Sequence, residues 1–166
     1  MRGAFALSSS MKKITYFDSY DGEGWPSTEW LAPYFLTSSG RRKFFALGND
    51  SWGLKAYGLE GTENLVPYQG RIDVDLTILG HPDFGILLFY QKSGGGRAEA
   101  QYSKGNLTRI NQWVQTVHDK MPVGLFIPFD AAWQAVSEFL KSDGALPTSI
   151  AWIAASDLPP GTFPAP

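Results

Sequence analysis

The chain has 166 residues, 43% hydrophobic and 18% charged, with a formal charge of −2; that is the composition of one globular domain and excludes a disordered chain. With no cysteine and two histidines, it has no disulfide framework, thiol nucleophile or thiolate metal site, and a zinc site would need carboxylates for most of its ligands. No apolar run approaches the ~20 residues of a membrane span, and the charge is too small for the basic footprint of a nucleic-acid binder.

Eighteen glycines, 11 prolines and 14% aromatic residues, six of them tryptophan, predict many tight turns and a fold dominated by strands. The expected class is α+β: a single domain with a mainly antiparallel twisted sheet of about six to eight strands and two or three helices packed on it. Residues 1–10 carry one basic residue and a short apolar patch, less than the ~7–15 apolar residues of a signal-peptide core. Met11-Lys12-Lys13 reads as a second start, so residues 1–10 are expected to be a disordered leader and the domain to span 11–158.

Ile14 to Tyr20 is β-rich and reads as a first strand ended by the turn formers Asp21-Gly22-Glu23-Gly24. Ser27 or Thr28 can cap a helix through Leu36, with Trp30, Leu31, Tyr34 and Phe35 on one face. Pro33 then imposes a kink or a later start. Arg42 to Leu47 and Leu54 to Leu59 read as a hairpin whose turn, residues 48–53, carries Trp52 at its tip. There Trp52 either anchors a protein partner or packs back over its own hairpin. Residues 58–69, with Glu60 and Glu63, read as a loop facing water.

Arg71 to Leu79 alternates, with Ile72, Val74, Leu76 and Ile78 on one face and Asp73, Asp75 and Thr77 on the other. Asp73 and Asp75 therefore share a face at ~6.6–6.8 Å, a separation that overlaps that of glycosidase carboxylates, although a solvated face produces the same pattern. After the turn Gly80-His81-Pro82-Asp83, residues 85–91 are apolar at both parities, as in a strand buried on both faces. Gly94-Gly95-Gly96 breaks the run, and residues 97–103 alternate, with Ala98, Ala100 and Tyr102 set to meet the core. A phosphate cradle would open into a helix, so the triple glycine is read as a turn.

Residues 106–119 form either a helix or an ordered loop; Leu107, Ile110, Trp113, Val114 and Val117 near helical spacing favour the helix. Val123 to Ile127 reads as a strand ended by Pro128, after which Asp130 caps a helix from Ala131 to Ser142 with Ala132, Trp133, Val136, Phe139 and Leu140 buried and Gly144 as its stop. Ser149 to Ala154 is the last expected strand. The proline-rich tail is expected to fray over residues 159–166.

Charge is unevenly distributed. Residues 18–83 hold ten acids and five bases, a net of −5, while residues 84–166 hold six of each sign. An acidic half suggests a basic partner or serves solubility alone.

The run GGGRAEAQYSKG, then Pro128-Phe129-Asp130, then AAWQAVSEFLKSDGALPTSIAWI, resembles the first-numbered Imm family of immunity proteins from bacterial polymorphic toxin systems, of the deaminase-toxin type. The matching residues are Gly94, Gly95, Gly96, Tyr102, Ala135, Val136, Glu138, Phe139, Pro147 and Trp152, most of them core or turn positions that speak for the fold. The resemblance implies a cytoplasmic antitoxin without catalytic residues, metal or cofactor. It would bind one cognate toxin domain 1:1, a nucleic-acid deaminase or nuclease, without touching nucleic acid or membrane. The residues expected to meet the toxin are the acids Asp18, Asp21, Glu23, Glu60, Glu63, Asp73 and Asp75, with Trp25 or Trp52 as aromatic anchor. Two other readings stay open: a carbohydrate-binding or glycoside-hydrolase-like domain using exposed aromatics and Asp73/Asp75, and a structural module.

Overall fold

The computed structural model describes residues 11–17, 20–44, 51–116 and 119–164. The leader, Asp18, His118 and most of the run read as a strand at 42–47 therefore lie outside the described residues.

The strands are β1 (Lys12–Phe17), β2 (Tyr20–Glu23), β3 (Ser51–Leu59), β4 (Ile72–His81), β5 (Gly85–Gly94), β6 (Arg97–Ser103), β7 (Trp113–Gln115), β8 (Lys120–Pro122), β9 (Phe126–Ile127) and β10 (Trp152–Ala154). Eight of them form one antiparallel sheet in the order β10-β6-β5-β4-β3-β1-β2, with β9 pairing beside β5; β7 and β8 form a separate hairpin. The helical segments are a broken helix, α1 (Thr28–Leu31) and α2 (Pro33–Leu36), then α3 (Ser38–Phe44) and α4 (Phe129–Lys141). This is the expected α+β class. Ser27 caps α1 by accepting the Trp30 amide, and Pro33 sits at the first position of α2, where its missing N–H costs no hydrogen bond.

One face of the sheet carries Leu54, Val74, Leu76, Ile78, Leu88 and Tyr90, all buried against α2 and α4. On α4 the fully buried positions are Ala132, Ala135, Val136 and Phe139, whereas Trp133 and Leu140 only flank the stripe. The helix begins at Phe129, earlier than expected, so Asp130 lies in its first turn and accepts the Ala131 amide. Gly144, at φ +99°, takes the stop position and donates its amide to the Phe139 carbonyl.

Among the described residues, the opposite face is covered over only half its length. There Leu79, Leu87 and Phe126 form a second cluster with Phe89, Tyr102, Leu107, Ile110 and Val114, and the Phe89 and Tyr102 rings stack at 4.1 Å. The segment over this cluster is a 3-10 turn, Leu107–Arg109, followed by the β7–β8 hairpin, and not the expected helix. Trp113, counted on the helical face, is partly exposed and donates Nε1 to the Thr162 carbonyl. In the tail, Thr162 is buried and Phe163 lies 5.4 Å from Tyr102.

Five further expectations are corrected. Asp21 to Glu23 is not a turn ending a strand but the return arm of the β1–β2 hairpin. Arg42 to Phe44 is helical, and β3 pairs with β1 and β4, so the hairpin expected at 42–59 is replaced by a longer strand that includes Trp52. Residues 123–125 form a 3-10 turn, which leaves only Phe126–Ile127 as strand, and the last strand shortens to Trp152–Ala154. In β6, Ser103 belongs to the parity expected to face water, yet it is fully buried. It sits where β5 exchanges one neighbour for another: its Oγ accepts the Leu88 amide and donates to the Leu125 carbonyl, bridging the gap between β6 and β9.

Candidate functional site

The register of the ladders fixes what lies on the uncovered half of the second face. One row across the sheet reads Glu23, Ile14, Lys55, Asp75 and Gln91; the next reads Asp21, Tyr16, Gly53, Thr77 and Phe89, where the second cluster begins. Alternate residues of a strand share a face, so four of the expected acids, Asp21, Glu23, Asp73 and Asp75, come together on this surface.

Their states differ. Asp73 is held on three sides: Arg71 donates Nε and Nη2 to its two oxygens at 2.9 and 3.0 Å, and the Gly58 amide donates to Oδ1. The hydrogen bonds it donates to Asp73 hold the Arg71 guanidinium above its ordinary value. Arg71 also lies 5.0 Å over the Tyr57 ring. Because Asp73 secures the bulge of β3 at Gly58, reversing its charge is expected to disturb the fold, contrary to what its place on a polar parity suggests.

Asp75 has a weaker partner, Lys55 Nζ at 3.8 Å from Oδ2, while its Oδ1 is buried with no hydrogen-bond partner among the described residues. Burial pushes its carboxyl above the ordinary aspartate value, with Lys55 pulling the other way. The folded state thus holds this proton more tightly than the unfolded chain does, and stability is lost as pH rises from the usual aspartate range through the raised value. Asp75→Asn is expected to melt at a higher temperature than the parent near pH 7 and to converge with it below about pH 4. A variant that gains on the parent as pH falls would have the sign wrong.

Asp21 and Glu23 are exposed and form no ion pair with a described residue. Between them and Asp75 stands Tyr16, 47% exposed, a residue the sequence reading passed over although it shares parity with Ile14. Its ring reaches over Gly53, where a Cβ would lie 3.7 Å from Tyr16 Cδ2 and 3.8 Å from Asp75 Oδ1, and Lys55 Nζ sits 5.4 Å from the ring centre.

The remaining expected contacts fall elsewhere. Glu60 follows β3 and pairs with Lys92, while Glu63 lies beside Gly58, neither in the rows above. Neither tryptophan is an exposed anchor. Trp52 is 3% exposed, edge-on to Phe17 within the core, and Trp25 donates Nε1 to the Lys55 carbonyl and rests on Phe139. Of the motif residues, Glu138 accepts the Thr148 amide and hydroxyl and the Ser149 amide, which hold its carboxyl below the usual range. Trp152 donates to the Pro147 carbonyl. These bonds tie α4 to the approach of β10. Among the described residues no group of three or more His, Asp or Glu side chains is placed to hold a metal ion, and no helix is long and apolar enough to cross a membrane.

The family described as immunity protein Imm1 matches residues 56–154, more than half of the chain, from within β3 to the end of β10. No curated protein and no solved structure matches it. Lys55, Asp75 and Gln91 therefore border or lie within the matched span, while Tyr16, Asp21 and Glu23 lie before it.

Proposed function

The chain belongs to the Imm1 family of immunity proteins, and from that premise we propose that it neutralises a toxin acting on nucleic acid, a deaminase or nuclease, by seating in the toxin's substrate groove. The observation that carries the reading is the family match from within β3 to β10, α4 included. Support for the toxin class comes from charge: residues 18–83 carry a net −5, and a groove built for a polyanion presents the basic surface to which such a segment is complementary. The complex is a 1:1 pair formed in the cytoplasm, where the toxin meets its target. The chain acts by occlusion, and no chemistry is assigned to it.

The toxin to test is the last domain of the protein encoded immediately upstream. Cells producing that domain are expected to survive only when this chain is co-produced, and the purified pair to elute as one complex. Added nucleic acid should compete with the chain for the toxin. Failure to protect or to associate would overturn the antitoxin role; a complex indifferent to excess nucleic acid would overturn groove occupation.

A further inference from the structure

We propose that the uncovered half of the sheet face receives an arginine side chain of the partner protein, laid on the Tyr16 ring and held by Asp21 and Glu23. The inference rests on the antitoxin reading and assigns the contact within it.

Three observations converge on arginine. The register sets Asp21 directly opposite Tyr16, with Glu23 and Lys55 on the neighbouring row, so the ring is flanked by carboxylates whose charge no described cation balances. Tyr16 is one of the few large side chains left 47% exposed, on a strand whose neighbours Thr15 and Phe17 are buried, so its backbone is fixed while its ring meets solvent. The face already holds cations in this way: Lys55 lies over Tyr16 and Arg71 over Tyr57, each also beside a carboxylate. Arg71 is committed to Asp73, so that pair is closed to a newcomer. Lys55, 3.8 Å from Asp75 and bound by no shorter contact to it, is the cation that an incoming guanidinium can displace.

Geometry favours guanidinium over ammonium. A planar guanidinium stacks flat on a ring and still directs in-plane N–H groups to two or three carboxylates, whereas an ammonium presents a compact charge without a stacking face. Gly53 puts no side chain under the ring that lies over it, and Thr77 beyond it is small.

The test uses the whole chain, 15N-labelled and titrated with a hexa-arginine peptide and separately with a hexa-lysine peptide. Amide shifts are expected at residues 14–16, 21–23, 53–55 and 75, with the arginine peptide bound more tightly. Tyr16→Leu should weaken the arginine peptide about two- to fivefold and erase its preference over lysine, whereas Tyr16→Phe should keep both. Asp21→Asn with Glu23→Gln should weaken both peptides by at least about twofold, with melting curves confirming that each variant folds. Shifts centred elsewhere, or an arginine preference that survives Tyr16→Leu, overturn the inference. The upstream toxin domain then separates the two claims. Toxin binding that is unchanged both by Tyr16→Leu and by Asp21→Asn with Glu23→Gln overturns this contact and leaves the antitoxin role standing; absence of any toxin binding by the parent chain overturns the role while the peptide result stands on its own.

Discussion

Phe139→Ala is expected to destabilise the chain by about 3–5 kcal/mol, the range for removing a large buried ring that its surroundings cannot refill. Phe139 is fully buried on α4 and meets Trp25 at 5.1 Å and Tyr90 at 6.2 Å, so it joins the helix both to β5 and to the segment after β2. Those neighbours are held from elsewhere, Tyr90 by donating to the Gly144 carbonyl and Trp25 by donating to the Lys55 carbonyl, and neither can swing into the gap. A urea titration measures the change, and a loss under about 1 kcal/mol would mean that the ring is not part of the cooperative core.

Gly94→Ala is expected to cost about 3 kcal/mol or more, as strain at a positive φ and overpacking add at one position. Gly94 has φ +130°, and a Cβ there would lie 2.2 Å from the Arg71 carbonyl oxygen and 2.7 Å from Ile72 Cα, both backbone atoms that cannot turn aside. Its neighbours Gly95 and Gly96, at φ +61° and +80°, have nothing within 4 Å of a Cβ. Alanine at either should cost only about 1–2 kcal/mol for the left-handed backbone. Equal denaturation midpoints for the three alanine variants would show that β4 does not press on the turn as described.

The residues that made this fold legible are those whose local pattern and tertiary role coincide. In β4 the alternation of Val74, Leu76 and Ile78 with Asp73, Asp75 and Thr77 separates the helix side of the sheet from the other side. In β5 the two-sided apolar run reflects two clusters, Ile86 and Leu88 facing the helices and Leu87 facing the second one. The segment after β6 misled for a physical reason: Leu107, Ile110 and Val114 all settle on the second cluster, and a 3-10 turn followed by a hairpin delivers them to one side at the three- and four-residue spacing of a helix. Trp52 was misplaced because turn-forming residues crowd the positions before it, while the pairing that makes it strand comes from β4, distant in sequence.

For the candidate site, the sequence supplied the acids but not their condition. Asp73 and Asp75 look equivalent two residues apart, yet one is closed by Arg71 and the Gly58 amide while the other keeps a bare oxygen, a distinction set by cross-strand neighbours. Tyr16 escaped notice because its importance comes from standing opposite Asp21 and Gly53.

The short edge strand β2 has a consequence for the protein in a crowded cell. It closes one side of the eight-stranded sheet with four residues, among them Asp21 and Glu23 on either side of Gly22 at φ +131°. At the far side β10 is only three residues long. A rim so brief and charged is a poor template for a further strand, which keeps one copy from growing onto the next into fibrils. The two carboxylates proposed to meet a partner's arginine are thus also gatekeepers against polymerisation, and drift toward a less basic partner at these positions would be limited by the chain's own solubility.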